Sequence, residues 1–154
     1  MFNDLWATFS QQFPDNFASL LTVSTVETIY MSVLSTLIAA LLGLPLGFLT
    51  FLTNKGAILE NKKLNAFLNV IINIGRSIPY IILLLALIPL TSWLLPGGSI
   101  GSNAAIVSLS AAATPFFARL TSNALFEIPT GLTETAKAMG ATNWQIIRKF
   151  YLPE

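Results

Sequence analysis

Glu134, Thr135, Ala136, Met139, Gly140 and Ala141, followed by Leu152 and Pro153, form the stretch in which residue type and spacing are most committed to a task. The chemistry open to them is recognition by shape and charge, because Glu134 is the one acid between positions 134 and 153. Leu132, Ala136 and Met139 recur at helical spacing, and Gly140 supplies the backbone freedom that ends a helix. A second helix starts at once. Thr142 and Gln145 stand three apart as a capping box, with Ala141 and Ile146 at the two positions of a weak hydrophobic staple around it. Trp144, Ile147 and Tyr151 then share one face, Arg148 and Lys149 sit where cations suit the helix dipole, and Pro153 stops the run. The spacing predicts helix, glycine hinge, helix.

Bond-making chemistry lacks its residues. The chain holds no cysteine and no histidine, which removes disulfides, thiol nucleophiles, ordinary zinc sites and the commonest general base. There is no GxxxxGK[ST] or GxGxxG loop and no carboxylate cluster within an apolar segment, so neither phosphate binding nor a proton relay has side chains to carry it. Serine and threonine are plentiful, but with lysines confined to loops nothing activates them, and they read as backbone caps and packing residues. A net charge of +1 gives no field for holding nucleic acid. No catalytic, cofactor-binding or metal-binding residue is expected.

The elements that position the helical pair belong in a bilayer. Charged residues are 10% of the chain and hydrophobic ones 54%, against about 25% charged in soluble domains. Three uncharged segments are long enough to span: 28–52 with 25 residues, 78–95 with 18 and 100–118 with 19, where about 20 are needed. The first 54 residues carry Asp4, Asp15 and Glu27 but no Lys or Arg, whereas the next loop carries Lys55, Lys62 and Lys63. Basic residues mark the cytoplasmic side, so the N-terminus is expected outside, Pro96 to Ser99 in an external turn, and the helical pair in the cytoplasm. Residues 1–25 then form an external segment with no signal-peptide pattern, 127–154 a cytoplasmic loop, and 1–154 a single membrane domain.

Between the first two spans, Asn65, Asn69 and Asn73 are spaced four apart on an apolar stretch, the pattern of an interfacial or pore-facing half-helix. Arg76 and Ser77 interrupt it, and Pro79 suits the first turn of the helix that follows. Arg76 either anchors a broken helix and lines a path through the membrane or snorkels to the cytoplasmic headgroups, and charge placement favours the second. Gly43 and Gly47 make a GxxxG pair around Pro45 that serves intrachain packing or a dimer contact, the first being favoured. Ala104, Ser108 and Ala112 give the third span a smooth face suited to tight packing or a narrow cavity wall, with no obvious partner among three spans. Pro115 is expected to loosen that helix before Arg119.

The stretch ETAKAMGATNWQIIRKFYLP resembles the cytoplasmic EAA loop of ABC importer permeases: Glu-Ala-Ala, three residues, Gly, nine residues, Ile, any residue, Leu-Pro. Glu134, Ala136, Gly140, Leu152 and Pro153 fall in register, while Thr135 replaces the first Ala and Phe150 the Ile. The wider wording, from NIGRSIPYIILLLALIPLTSW through ALFEIPTGLTETAKAMGAT to IIRKFYLPE, is similar to permease subunits of methionine importers from about Val26 to Glu154. The resemblance implies an all-α integral membrane protein, a partial ABC importer permease fold of about three transmembrane helices, an interfacial half-helix and a coupling-helix pair. It implies a homodimer in the inner membrane, ATPase subunits that hold ATP and magnesium under the loop, and an external substrate-binding protein delivering D- or L-methionine. It also implies further spans after Pro153, so that these residues alone insert and bind the ATPase weakly without transporting. Permeation of another small solute, an ATP-independent channel and a membrane scaffold are the alternatives.

Overall fold

The structure, a computed structural model, describes residues 17–95 and 100–152. Pro96 to Ser99 and Pro153 lie outside the described residues. Six helices follow in order: α1 Phe17–Leu52, α2 Lys62–Ser77, α3 Tyr80–Leu94, α4 Ser102–Phe126, α5 Thr130–Ala138 and α6 Asn143–Ile146. The last continues as a π-helical turn, Ile147–Tyr151. No strand occurs among the described residues, as expected for backbone that must satisfy itself in lipid.

α1 begins well before the expected span. Its 36 residues rise about 54 Å, against a hydrocarbon core of about 30 Å. Thr22, Thr25 and Thr28 return their hydroxyls to the carbonyls of Ser19, Leu21 and Ser24 at 2.7–2.8 Å, which keeps these polar side chains inside the helix and carries it through Glu27. Residues 17–25 are therefore the first turns of α1. The helix also runs through Pro45.

α1 and α4 form the central pair. Ser35, Ala39, Gly43 and Gly47, spaced four apart, are the buried stripe of α1. A Cβ at Gly43 would lie 2.5 Å from the Phe117 Cβ and 2.8 Å from the Thr114 carbonyl oxygen. One at Gly47 would collide with the Ala118 carbonyl. Absence of side chain is what lets the two backbones meet, and dispersion at that close approach is the attraction lipid cannot supply.

The expected second span is divided. α2 and α3 are bent by 107° across Ile78 and Pro79. α3 has only 15 residues, too few to cross alone. Pro79 provides no amide and disfavours helical backbone at Ile78, which sits at φ −79°, ψ 121°. Successive partners along α4 nevertheless descend in order. Asn69 meets Arg119, Gly75 approaches Pro115, Tyr80 meets Ser108, and Thr91 lines a cavity with Ala104. The pair therefore follows α4 as one bent unit, and the described residues hold two helices long and apolar enough to cross a membrane, α1 and α4, or three crossings with α2–α3 taken as one broken span. α4 runs to Phe126 rather than loosening near Arg119, because Gly75 packs on the Pro115 ring.

Candidate functional site: a platform for the helix–glycine–helix pair

Gly140 ends α5 in the left-handed region, at φ 76°. The Ala141 amide donates to the Ala136 carbonyl at 3.0 Å and the Gly140 amide to the Lys137 carbonyl at 2.9 Å. These are the two bonds of a Schellman motif, and together they cap carbonyls the helix end leaves open. α6 starts immediately with the capping box the sequence predicts. The Gln145 amide donates to Thr142 Oγ1 at 3.4 Å, and the Thr142 amide to Gln145 Oε1 at 2.8 Å. The hinge between α5 and α6 is thus closed by local hydrogen bonds at both edges.

A small apolar core fixes this hinge to the membrane helices. Ile146 and Ala136 are fully buried, and with Tyr151 they join Leu52 of α1 and Leu125 of α4. The Phe51 ring stands edge-on to Tyr151 at 5.1 Å and to Phe126 at 5.2 Å, an arrangement aromatic quadrupoles favour. The Tyr151 hydroxyl lies 2.8 Å from Thr133 Oγ1, so the burial of its ring costs no unpaired polar atom. Ala141 packs on the same cluster, as its staple position required.

On the outward face, Met139, the C-terminal cap of α5, is 70% exposed. That face differs from the sequence reading in one place. Trp144 is 68% exposed while Tyr151 is buried. The wider π turn, in which the Leu152 amide reaches the Ile147 carbonyl at 3.0 Å, rotates Tyr151 off the Trp144 side. Glu134, Thr135, Met139, Gly140, Trp144 and Leu152 therefore all face outward. Glu134 borders a cleft of about 270 Å³ with Lys55, Lys137 and Thr133 and forms no ion pair among the described residues. This face thus sets large apolar side chains, Met139, Trp144 and Leu152, around one carboxylate.

The other sequence candidates separate. Gly43 and Gly47 are spent on α4, which decides for intrachain packing. Ala104 and Ser108 are buried and do have a partner, α3: the Ser108 hydroxyl lies 3.2 Å from the Tyr80 hydroxyl. Ala112 is half-buried. Asn65 and Asn69 turn inward: Asn65 Nδ2 donates to the Thr50 carbonyl at 2.7 Å, while Asn69 Nδ2 donates to Asn65 Oδ1 at 3.0 Å. Asn73 alone of the three remains exposed. Arg76 and Ser77 are exposed at the break with Pro79. The adjacent Pro115 lies 11 residues inside the end of α4, about 16 Å along its axis. Ser35 and Ala39 are the packing residues missed, although their four-residue spacing ahead of Gly43 was available.

The chain matches the family model "Binding-protein-dependent transport system inner membrane component" over residues 41–154. It is 63% identical over 135 residues to the probable D-methionine transport system permease protein MetI of Pasteurella multocida, covering 88% of this chain and 62% of that protein. The corresponding protein of Haemophilus influenzae is 60% identical over 131 residues, 85% of this chain and 61% of its own length. In a structure titled as an inward-facing conformation of the MetNI methionine ABC transporter, one chain superposes with a TM-score of 0.86 at 47% identity, covering 92% of this chain and 65% of that one. A chain of an amino acid ABC transporter, 20% identical with a TM-score of 0.56, shares the fold. The chain thus spans about 62% of the length of the relatives it matches.

Proposed function

The chain belongs to the inner membrane components of binding-protein-dependent transport systems, and on that premise we propose that it forms the inner-face coupling half of a permease in an ATP-driven importer of methionine. The observation that carries the reading is the docked helix–glycine–helix pair. Its buried side, Ala136, Ile146 and Tyr151, is keyed into the ends of α1 and α4. Its open side presents Glu134, Met139, Gly140, Trp144 and Leu152. A force applied to that open side reaches two membrane helices through packed rings rather than through a flexible loop.

The mechanism is alternating access. Two ATPase subunits, which hold the ATP and magnesium, close on nucleotide and carry their docked coupling pairs together. Tyr151, Phe51 and Phe126 pass the displacement to α1 and α4, whose close backbone contact at Gly43 and Gly47 makes them move as one body. α2–α3 has its break beside Pro115, where it can swing with less loss of helix hydrogen bonding. A second permease copy and an external binding protein complete the assembly, with the N-terminus outside. Methionine enters this reading from the names of the relatives, since no side chain in the crossings is chemically committed to a thioether. Uptake of labelled methionine by the assembled transporter tests it. Uptake that needs ATP and is competed by unlabelled methionine supports the assignment, and ATP-dependent uptake indifferent to methionine overturns the substrate.

A further inference from the structure

A second polar site lies where α1, α2 and α4 meet at the loop end. A cavity of about 240 Å³ is lined by Thr50, Asn54, Asn65, Asn69, Arg119, Ser122 and Phe126. Ser122 is fully buried, and its hydroxyl has no hydrogen-bond partner. This is anomalous on its own helix, where Ser108, Ser110, Thr114 and Thr121 all return their hydroxyls to a carbonyl three or four residues back. A buried hydroxyl left unpaired costs about 1–3 kcal/mol, and Ser122 is a lining residue of this cavity, which makes the cavity's contents the available partner.

The groups around it are donors in excess. Arg119, half-buried, makes one long bond of 3.4 Å to Asn69 Oδ1, which leaves most of its five N–H groups open. The Asn65 and Asn69 amides are already engaged with Thr50, Thr53 and each other. Asn54 Oδ1 accepts from the Lys55 amide at 2.9 Å, leaving its Nδ2 free. None of the lining residues is an acid. A half-buried guanidinium with a free hydroxyl, a free amide donor and no carboxylate calls for an anion, because burial strengthens the attraction and no internal counter-charge competes.

We infer that this cavity binds a small oxyanion head, a carboxylate or a phosphate, held by Arg119, Ser122 and Asn54. The space suits such a head with one or two waters and excludes a bulky solute. The site does not depend on which solute the transporter carries. Phe126 forms one wall, and its ring packs on Phe51, which packs on Tyr151, so occupancy bears on the platform that holds the coupling pair.

The test is thermal unfolding of the assembled transporter in phosphatidylcholine nanodiscs, titrated with acetate or inorganic phosphate against chloride at matched ionic strength, and repeated in discs containing phosphatidylglycerol. A saturable rise in melting temperature with the soluble anions assigns a dissolved oxyanion. A rise on changing to phosphatidylglycerol, after which acetate and phosphate add nothing, assigns a lipid headgroup phosphate. Under either, Arg119→Gln abolishes the rise, Arg119→Lys keeps it with weaker binding, and Ser122→Ala weakens it by about fivefold to tenfold, the loss of one hydrogen bond to an anion. If Arg119→Gln fails to insert, the other two variants decide. No saturable rise in either lipid, or a rise that Ser122→Ala and Arg119→Lys leave unchanged, overturns the site.

Discussion

At Gly140 the backbone takes φ 76° while nothing stands within 4 Å of where a Cβ would be. At Gly47 the backbone is helical, and a Cβ would strike the Ala118 carbonyl and lie 2.7 Å from the Thr121 Cβ. The first glycine is required by conformation, the second by space, and substitutions should separate them. Gly140→Leu imposes about 1–2 kcal/mol of left-handed strain on a local hinge. Melting of the membrane helices should then hardly move, whereas ATP hydrolysis should continue with methionine uptake strongly reduced. Gly140→Asn, whose side chain tolerates that conformation, should retain most uptake. Normal uptake by the leucine variant would remove the hinge from coupling. Gly47→Leu forces α1 off α4 and should cost about 1–3 kcal/mol or more of stability, read as a lower melting temperature in detergent. A variant that melts normally but loses a subunit contact would mean that the glycine pair serves the dimer instead.

At the scale of elements, the broken crossing separates what could be read from the sequence from what could not. The interruption was legible, because Ser77, Ile78 and Pro79 combine a charge-flanked end with a proline that offers no amide. Its consequence was not. Counting apolar residues makes 78–95 look like a span, but length along the chain does not reveal that α2 and α3 together climb α4, which depends on contacts fifty residues apart such as Asn69 with Arg119. The Asn stripe was visible, yet spacing cannot tell a pore from a neighbouring helix, and Thr50 and Arg119 decided it. By contrast, the capping box and the glycine stop were readable because all their partners lie within six residues. The absence of native cysteine makes the break directly testable. With single cysteines at Asn73, Arg76, Ser77 and Leu85, a membrane-impermeant maleimide should label the first three and spare Leu85 if the break faces a watered path. Equal protection of all four would place the break against lipid.

For the whole molecule, the helix–glycine–helix pair, the lysine loop between α1 and α2, and the ends of α1 and α4 gather at one end of the helices, the end at which the proposed ATPase docks. Reporters at Asn3 and Gly98 should therefore read outside, and those within 55–63 and after Tyr151 inside. Contact between the coupling pair and the ATPase is the claim on which the rest depends. A single cysteine at Met139, 70% exposed and next to the hinge, can be paired with cysteines along the cleft of the ATPase subunit in inner-membrane vesicles and oxidised with and without ATP. The account predicts a disulfide-linked permease–ATPase species whose yield changes with nucleotide, while a control cysteine at Leu41 on the exposed side of α1 gives none. No cross-link from Met139 under either condition, with the ATPase present and the permease inserted, would contradict it.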